Sequence, residues 1–483
     1  MPEQLHVVFA ASEMVPYMKT GGLADVVGAL PKALARLGHR VTVFLPRYAP
    51  IAFPPGAFLG AVHVPLDTPA RSAGYYAAEP YPGVRVVFVE HPPFFDRATP
   101  YGDDRGDWPD NRLRFAFFAR SVLEFFRSRG ERPDVFHAHD WQTGLLPVYL
   151  KAFYWDDPTL HRLPTVFTVH NLAYQGHFGL DTLDVLGLPW NLGTSHGLEY
   201  HGGVNFMKGG LLFAEKVTTV SPQYAREIQG KEKGYGLDGV LRERARDLVG
   251  IVNGVDTDEW DPASDKALPQ TYSVDDLAGK AACKSLLLRE FGLPEYPDLP
   301  LLGVTSRLVG QKGFDIVTEA WWDVLQRPVR LVVLGTGEPS IREGFARMAE
   351  RAPDRVGVRF AYDPRLAHLI VGGADLFLMP SRDEPCGLSQ LYAMRYGTPP
   401  IVHAAGGLVD TVEPWDAAAR TGTGFRFDTP DGTGLIWALD QALAAWHDKG
   451  AWRALQRNGM QRDFSWEASA RAYERLYRSL TGA

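Results

Sequence analysis

The residues with the clearest chemical potential lie in the stretch 381–394. Here Glu384 stands between a short apolar run, 374–379, and a helical pattern that ends at Gly397. The apolar run predicts a buried parallel strand, so Glu384 is expected on a loop at the carboxyl end of a strand, where open α/β sheets bind ligands. Backbone amides from Leu388 onward open the following helix and could meet an anion. This pattern favours a ligand with hydroxyls and phosphates, such as a nucleotide sugar; a solvated acid beside a structural helix is the alternative.

Two cations precede that stretch in the chain. Arg307 and Lys312 follow the apolar run 301–306, and the next run, 329–334, ends in a glycine loop that includes Gly337. Two positive charges and a loop without side chains, at neighbouring strand ends, are typical of a site for a diphosphate. The simpler interpretation is that both residues are ordinary surface cations. Their position at the end of a strand weakens that interpretation.

A third candidate site lies near the start of the chain. Lys19, Gly21, Gly22 and Asp25 follow the predicted strand 6–11. Glycines allow a ligand to approach the backbone closely, and Lys19 offers a point charge for phosphate. Asp25 is either an acceptor for hydroxyls or, as we favour from this residue alone, a favourable charge in the first helical turn.

Two further predicted strands end in polar residues. One carries His137, His139 and Asp140, and the next ends at His170 and Asn171. His137 and His139 point to one face of their strand, so together they could bind a metal. No third ligand can be identified, and we therefore expect no metal site. His170 and Asn171 occupy the position in the strand at which α/β proteins carry function.

Strands and helices alternate along the whole chain, which predicts two doubly wound α/β domains. We place the boundary just before the turn 253–256, giving domains of residues 1–250 and 251–464, since 483 residues are too many for one core. Pro31 is expected to kink or break the first helix. Residues 50–110 show one clear strand, 84–89, and residues 101–108 resemble a surface loop or lid.

Composition excludes several classes of protein. The net charge of −7 gives no positive surface that would indicate binding of nucleic acid. Two cysteines are too few for a disulfide framework. No apolar run approaches the ~20 residues of a membrane span, and a strand begins almost at once where a signal peptide would stand. We therefore expect a cytoplasmic protein with no nucleic-acid or membrane partner.

Taken together, the motifs resemble those of the family of bacterial glycogen synthases and plant starch synthases. The resemblance runs from the first strand to the last helix. It is carried by Lys19-Thr-Gly-Gly-Leu, His137-Ala-His-Asp-Trp, His170-Asn-Leu-Ala-Tyr-Gln-Gly, Asn253-Gly-Val-Asp, Arg307-Leu with Gln311-Lys-Gly, and Glu384-Pro-Cys-Gly-Leu.

The resemblance implies a GT-B fold, in which two Rossmann-like domains face a central cleft and the C-terminal segment, 465–483, crosses back to the first domain. It also implies transfer of glucose from ADP-glucose to the non-reducing end of an α-1,4-glucan such as glycogen. Configuration would be retained, and no metal or cofactor would be needed.

The resemblance also implies roles for single residues. Arg307 and Lys312 would neutralise the leaving diphosphate, and Glu384 would bind glucose hydroxyls rather than act as a nucleophile. His170 and Asp140 would shape the glucose and acceptor side. The remaining positions expected to bind substrate are Lys19, Gly21, Gly22, Asp25, Asn171, Asn253, Gly337, Cys386, Gly387, Leu388 and Thr411.

Three other functions compete with this interpretation. A GT-B enzyme that uses a UDP- or GDP-sugar is the nearest, although Tyr392 stands where many such enzymes repeat a glutamate eight residues after Glu384. A non-catalytic glucan-binding protein fits 12 Trp and 19 Tyr, but would not need Arg307, Lys312 and Glu384 at strand ends. A hydride-transferring oxidoreductase needs a dinucleotide fingerprint after the first strand, and the loop 12–22 lacks one.

Overall fold

The computed structural model describes residues 3–66, 71–295 and 299–482. It divides into two compact units, and each is built around its own parallel sheet. The first unit is Met1–Gly254 with Trp466–Ala483, and the second is Val255–Ser465.

The first unit contains a sheet of nine strands, in the order β14-β13-β9-β8-β1-β2-β5-β4-β3. Its strands run parallel from β14 to β5, whereas β4 and β3 are antiparallel additions at one edge. The described strands of this unit are β1 His6–Ala10, β2 Arg40–Pro46, β3 Ala57–Val64, β4 Arg71–Tyr81, β5 Val84–Glu90, β6 Gly102–Asp103, β7 Gly106–Asp107, β8 Val135–His139, β9 Thr165–Val169, β10 His177–Gly179, β11 Glu199–Tyr200, β12 Gly203–Asn205, β13 Lys216–Thr219 and β14 Leu248–Gly250.

Helices pack beside this sheet and leave the carboxyl ends of its parallel strands to the loops. The helices are α1 Gly22–Arg36, α2 Pro92–Phe95, α3 Asn111–Arg129, α4 Leu145–Phe153, α5 Thr182–Val185, α6 Phe206–Phe213, α7 Pro222–Glu227 and α8 Asp238–Glu243, with 3-10 turns at Trp141–Thr143 and Trp190–Leu192. The central strands β1, β8 and β9 are almost wholly buried, as their continuous apolar sequences predict.

One expectation for this unit was wrong and two others need refinement. Helix α1 is not broken at Pro31 and continues to Arg36, because burial of one whole face outweighs the ~3 kcal/mol that an internal proline costs. The region 50–110 contains β3 and β4 in addition to β5; Gly60 and Pro80 hid them, and both residues lie at irregularities in the strand pairing. Residues 101–108 are exposed or partly exposed, in line with a surface loop, and they include the short hairpin β6–β7.

The second unit contains a six-stranded, all-parallel sheet in the order β17-β16-β15-β18-β19-β20. Its strands are β15 Leu301–Thr305, β16 Arg330–Leu334, β17 Val356–Arg359, β18 Leu376–Met379, β19 Pro400–His403 and β20 Phe425–Phe427. Its helices are α9 Gly279–Glu290, α10 Phe314–Glu319, α11 Trp321–Leu325, α12 Pro339–Arg351, α13 Pro364–Gly373, α14 Ser389–Arg395, α15 Gly407–Thr411, α16 Gly432–His447 and α17 Lys449–Met460, with a 3-10 turn at Gly310–Lys312. Two apolar clusters cover the two faces of the sheet, as a doubly wound fold requires.

The C-terminal helix, α18 Trp466–Thr481, belongs to the first unit and packs on α1. The Tyr477 hydroxyl is hydrogen-bonded to His137 Nδ1 at 2.8 Å, and Ser469 donates to the carbonyl of Val252 at 2.7 Å. Its apolar stripe, which includes Ala470, Tyr473 and Tyr477, is buried. The expectation that the last helix crosses back to the first domain is confirmed.

Membrane-spanning helices and clusters of metal ligands are absent from the described ranges. None of the helices in them is long and apolar enough to span a bilayer. Over the same ranges, no group of three or more His, Cys, Asp or Glu side chains is placed to hold a metal ion.

Candidate functional site

Two residues predicted from separate stretches meet in the second unit. Lys312 Nζ lies 2.5 Å from Glu384 Oε2, and the two side chains are only 18% and 7% exposed. Ser381 Oγ donates a second hydrogen bond to the same carboxylate oxygen at 3.0 Å. Because both charges are largely removed from water, each depends on the other for its solvation. The pair follows two adjacent strands of the sheet, β15 and β18, at their carboxyl ends.

The backbone around Lys312 is held against the loop that carries Glu384. Gly313 has φ +70°, and a Cβ atom there would lie 2.0 Å from the carbonyl oxygen of Pro380, so glycine is required. Arg382 donates its backbone amide to Gln311 O at 3.0 Å and its guanidinium to Gly310 O at 3.1 Å. These contacts fix the position of Lys312 before any ligand arrives.

Arg307 lies close by in the chain but in a different environment. Its side chain is exposed and has no partner among the described residues, so its charge is available to an anion. The next residue, Leu308, forms a β-bridge with Gly337. A Cβ atom at Gly337 would lie 2.2 Å from the carbonyl oxygen of Leu308, so this glycine is needed for the two loops to approach.

The loop after Glu384 is held by Gln390, a residue that the sequence analysis did not select. Gln390 Nε2 donates to the carbonyls of Cys386 and Gly387 at 3.0 Å each and to Thr411 Oγ1 at 3.1 Å. Thr411 is fully buried and donates in turn to the backbone, so in this structure its hydroxyl positions Gln390. Cys386 is also buried, whereas Leu388 is half-buried at the start of α14.

In the first unit, Glu13 organises the predicted glycine loop. Its buried carboxylate accepts hydrogen bonds from Thr20 N at 2.5 Å, Thr20 Oγ1 at 2.6 Å and Gly21 N at 3.2 Å. The Tyr101 hydroxyl donates to the same carboxylate at 2.5 Å, which ties the hairpin β6–β7 to the loop. Neither Glu13 nor Tyr101 was selected from the sequence, because a single acid in a loop gives no signal of its long-range partners.

The glycines of that loop have no structural explanation within the chain itself. Cβ atoms built at Gly21 and Gly22 would meet no protein atom within 4 Å, and neither residue has the positive φ that favours glycine. Lys19 Nζ and Asp25 Oδ1 form an ion pair at 2.7 Å beside them. Because no side chain covers the backbone at Gly21 and Gly22, a ligand can approach it closely beside the Lys19–Asp25 ion pair.

Asp140 has the most unusual backbone of the predicted site residues. It has φ 54° and ψ 180°, a conformation that is otherwise almost confined to glycine and costs about 1–3 kcal/mol. Its carboxylate accepts hydrogen bonds from the amides of His170, at 2.7 Å, and Asn171. Burial nevertheless raises the pKa of Asp140 to about 7, against the effect of those two amides. The strands β8 and β9 thus bring Asp140, His170 and Asn171 together.

The histidines beside Asp140 are buried and neutral. Burial lowers the pKa of His170 to about 3 and holds the pKa values of His137 and His139 well below the usual range. His137 bonds to Tyr477 and Thr168, so the structure assigns it to packing of α18. Asn253 is 6% exposed, and its Oδ1 has no partner within the described part of the chain.

The chain is similar to known proteins over nearly its whole length. Residues 6–243 match the family model "Starch synthase catalytic domain", and residues 290–459 match "Glycosyl transferases group 1". The chain is 50% identical over 477 residues to a glycogen synthase of Anaeromyxobacter sp. (strain Fw109-5), with 99% of each chain covered. The chain belongs to the glycogen synthase and starch synthase family. A glycogen synthase of Koribacter versatilis is 48% identical over 474 residues, with 98% of each covered.

Solved structures extend this result to the fold. The catalytic domain of starch synthase IV from Arabidopsis thaliana, bound to ADP and acarbose, matches with a TM-score of 0.90 and 35% identity over 100% of both chains. A sucrose-phosphate synthase from Thermosynechococcus elongatus, at 20% identity and a TM-score of 0.62 over 99% of this chain, shares the fold alone. The protein is therefore a glycosyltransferase with the GT-B fold, as the motifs predicted.

We predict that Lys312→Ala destabilises this glycogen synthase homologue, because it leaves the Glu384 carboxylate buried without a partner. The free energy of unfolding should fall by about 2 kcal/mol or more, and the double variant Lys312→Met/Glu384→Gln should recover most of that loss. Chemical unfolding followed by circular dichroism measures both values. Arg307→Ala is the matched control: it removes an exposed cation and should stay within about 0.5 kcal/mol of the native protein. An Arg307→Ala effect as large as that of Lys312→Ala would contradict the assignment.

Asp140 should contribute to a pH dependence of stability. Its pKa is raised to about 7 in the folded state, so between about pH 4 and 7 the folded state binds more protons than the unfolded state. The stability contributed by Asp140 is thus present at low pH and lost as pH rises through 7. Asp140→Asn keeps an acceptor and does not titrate. Its stability relative to the native protein should therefore be about 2–3 kcal/mol higher at pH 8 than at pH 5. Thermal unfolding at both pH values tests this, and an equal difference at the two would refute it.

Proposed function

We propose that this protein transfers glucose from ADP-glucose to the non-reducing end of an α-1,4-glucan, with retention of configuration and without a metal. The observation that carries the proposal is the buried Lys312–Glu384 ion pair at the strand ends of the second unit. It is supported by the full-length similarity to glycogen synthases and by the ADP and acarbose bound to the starch synthase IV neighbour. Two buried free cysteines, Cys283 and Cys386, fit the cytoplasm as the place of the reaction.

The cations act on the leaving group. When the bond between glucose C1 and the diphosphate breaks, negative charge accumulates on the phosphate oxygens. Lys312 is fixed beside its own loop and Arg307 is exposed at the same strand end, so both can stabilise that charge without reorganising. In the proposed reaction, these two cations lie where the transition state gains negative charge.

Glu384 binds the glucose hydroxyls and does not attack the bond that breaks. Its carboxylate accepts from Ser381 and is paired with Lys312, which makes it a poor nucleophile and a well-oriented acceptor for glucose hydroxyls. In the reaction that we propose, the acceptor hydroxyl attacks C1 on the face from which the diphosphate departs. The hydroxyl proton passes to a leaving phosphate oxygen, so no protein base is required.

The first unit offers, within itself, a group of side chains suited to sugar hydroxyls. His170 is neutral and 9% exposed, and Asp140 and Asn171 lie beside it at the carboxyl ends of β8 and β9. Sugar hydroxyls carry no charge, so neutral hydrogen-bonding groups suit them. The carboxyl group of Asp140 can accept or, when protonated, donate a hydrogen bond. Lys19, Gly21 and Gly22 offer a second loop with accessible backbone for phosphate or sugar.

Tyr362 is our candidate for contact with the nucleotide base. It follows β17, whose end is joined to the glycine loop through the hydrogen bond from Gly335 N to Arg359 O at 3.1 Å. Its ring is 81% exposed, which is unusual for a tyrosine at a strand end close to the proposed diphosphate site. An aromatic ring there can stack on a purine.

We expect Tyr362→Ala to raise the KM for ADP-glucose about tenfold, since stacking on one base contributes about 1–3 kcal/mol. Tyr362→Phe keeps the ring and should remain close to the native value. Initial rates at varied ADP-glucose with saturating glycogen measure the effect. If Tyr362→Ala left this KM unchanged, the base would lie elsewhere.

The direct test of the proposal is incorporation of labelled glucose into glycogen from ADP-glucose and from UDP-glucose, each with and without EDTA. We expect faster transfer from ADP-glucose, insensitive to EDTA, with an α-linked product. A preference for UDP-glucose would move the donor to another nucleotide while leaving the diphosphate site in place. Loss of activity with EDTA would overturn the metal-independent mechanism.

A further inference from the structure

His139 is a buried histidine that the proposed chemistry does not use. It lies on β8, is 0% exposed, and its Nδ1 is 3.0 Å from Nε2 of His170. Its ring is stacked on Phe9, with centroids 5.2 Å apart at 17°, and lies 4.1 Å from the ring of His137. The ring of His139 is therefore held in one orientation by its neighbours, with one nitrogen directed at a residue of the candidate site.

The hydrogen bond between the two imidazoles allows two arrangements of protons. Burial keeps both rings neutral, so each carries one proton. Either His139 Nδ1 donates to His170 Nε2, or His170 Nε2 donates to His139 Nδ1. The first arrangement leaves the proton of His170 on Nδ1, and the second leaves Nδ1 bare.

The other nitrogen of His139 decides between them. His139 Nε2 is buried and has no hydrogen-bond partner in the described part of the chain. A proton on Nε2 would be a buried N–H without an acceptor, and folded proteins leave buried donors unpaired less often than buried acceptors. The proton of His139 therefore lies on Nδ1, and His139 donates to His170.

We infer that His139 is a positioning residue that fixes His170 in the Nδ1–H tautomer. His170 Nδ1 makes no hydrogen bond within the described ranges, so this N–H is available to a ligand. It would donate to an uncharged oxygen, such as a sugar hydroxyl. This inference deepens the proposed function and rests on it only for the identity of that oxygen.

The tautomer can be read without substrate, by NMR of the full-length protein labelled with 15N in its histidine rings. His170 signals are assigned by their loss in His170→Asn. In the native protein we expect Nδ1 of His170 to show the signal of a protonated nitrogen and Nε2 that of a bare one. The reverse pattern in the native protein would overturn the inference, whatever the donor sugar proves to be.

Variants then separate positioning from packing. His139→Phe keeps a stacked ring but removes the donor, so the His170 signals should shift toward a mixture of tautomers and kcat should fall about tenfold. His139→Asn returns an N–H near the position of Nδ1 and should recover part of both. Affinity for ADP, which the second unit binds in our proposal, should stay unchanged in each.

His137→Phe is the matched control for the spectrum. His137 lies on the same face of β8 but bonds to Thr168 and Tyr477 rather than to His170. It should leave the His170 tautomer as it is. If His139→Phe folded with an unchanged His170 spectrum and kcat, or if His137→Phe changed the tautomer equally, His139 would be a packing residue only.

Discussion

The second unit depends on one interaction, the ion pair between Lys312 and Glu384. Neither charge could stand alone at 18% and 7% exposure without a large desolvation penalty. The surrounding structure maintains the pair: Gly313 permits the close contact with Pro380, and Arg382 holds the carbonyls of the loop that carries Lys312. The pair thus provides a cation and a carboxylate at a fixed distance before a ligand binds. A substrate that carries a diphosphate and a sugar can use both.

The first unit meets the same requirement by other means. Its loop of accessible glycines is held by Glu13, a carboxylate whose partners are backbone amides and hydroxyls rather than a cation. At the ends of β8 and β9, the strained backbone of Asp140 directs its carboxylate at the amides of His170 and Asn171. Strain of this kind persists where the surrounding contacts over-determine it, which is common at functional sites. Preorganised polar groups at the ends of parallel strands are therefore common to the two units.

The grouping of the site residues could be predicted from the sequence, because it depends only on which residues directly follow each buried strand. Polar residues that follow a buried strand lie at the carboxyl edge of a parallel sheet, so Arg307, Lys312 and Glu384 could be grouped without coordinates. Contacts between distant residues could not be predicted. The ion pair of Lys312 with Glu384 spans 72 residues, and the bond of Tyr101 to Glu13 spans 88. Nothing in a single sequence shows such partners.

The errors have the same origin. Helix α1 tolerates Pro31 because its packing outweighs one lost hydrogen bond, and packing is not visible in a local pattern. Strand β4 forms because β5 offers an edge to pair with, and β3 pairs with β4 in turn, despite the glycines and the proline that interrupt them. Gln390 shows the limit for the site: it holds the loop after Glu384 through Cys386, Gly387 and Thr411, and no local pattern indicates these contacts. The substrate-binding role of Thr411 stays a prediction. The role of such a side chain depends on how deeply it is buried and on which residue it contacts, and the fold determines both.

In the reaction that we propose, the donor is divided between the two charges of the pair, with the diphosphate at Lys312 and glucose at Glu384. The affinity of ADP, which lacks the glucose, tests this division most directly by calorimetry on Lys312→Met and Glu384→Gln. We predict that Lys312→Met weakens ADP binding at least tenfold. Glu384→Gln should leave ADP affinity unchanged or increase it, because it frees Lys312 from its partner. An equal loss of ADP affinity in both variants would contradict the account.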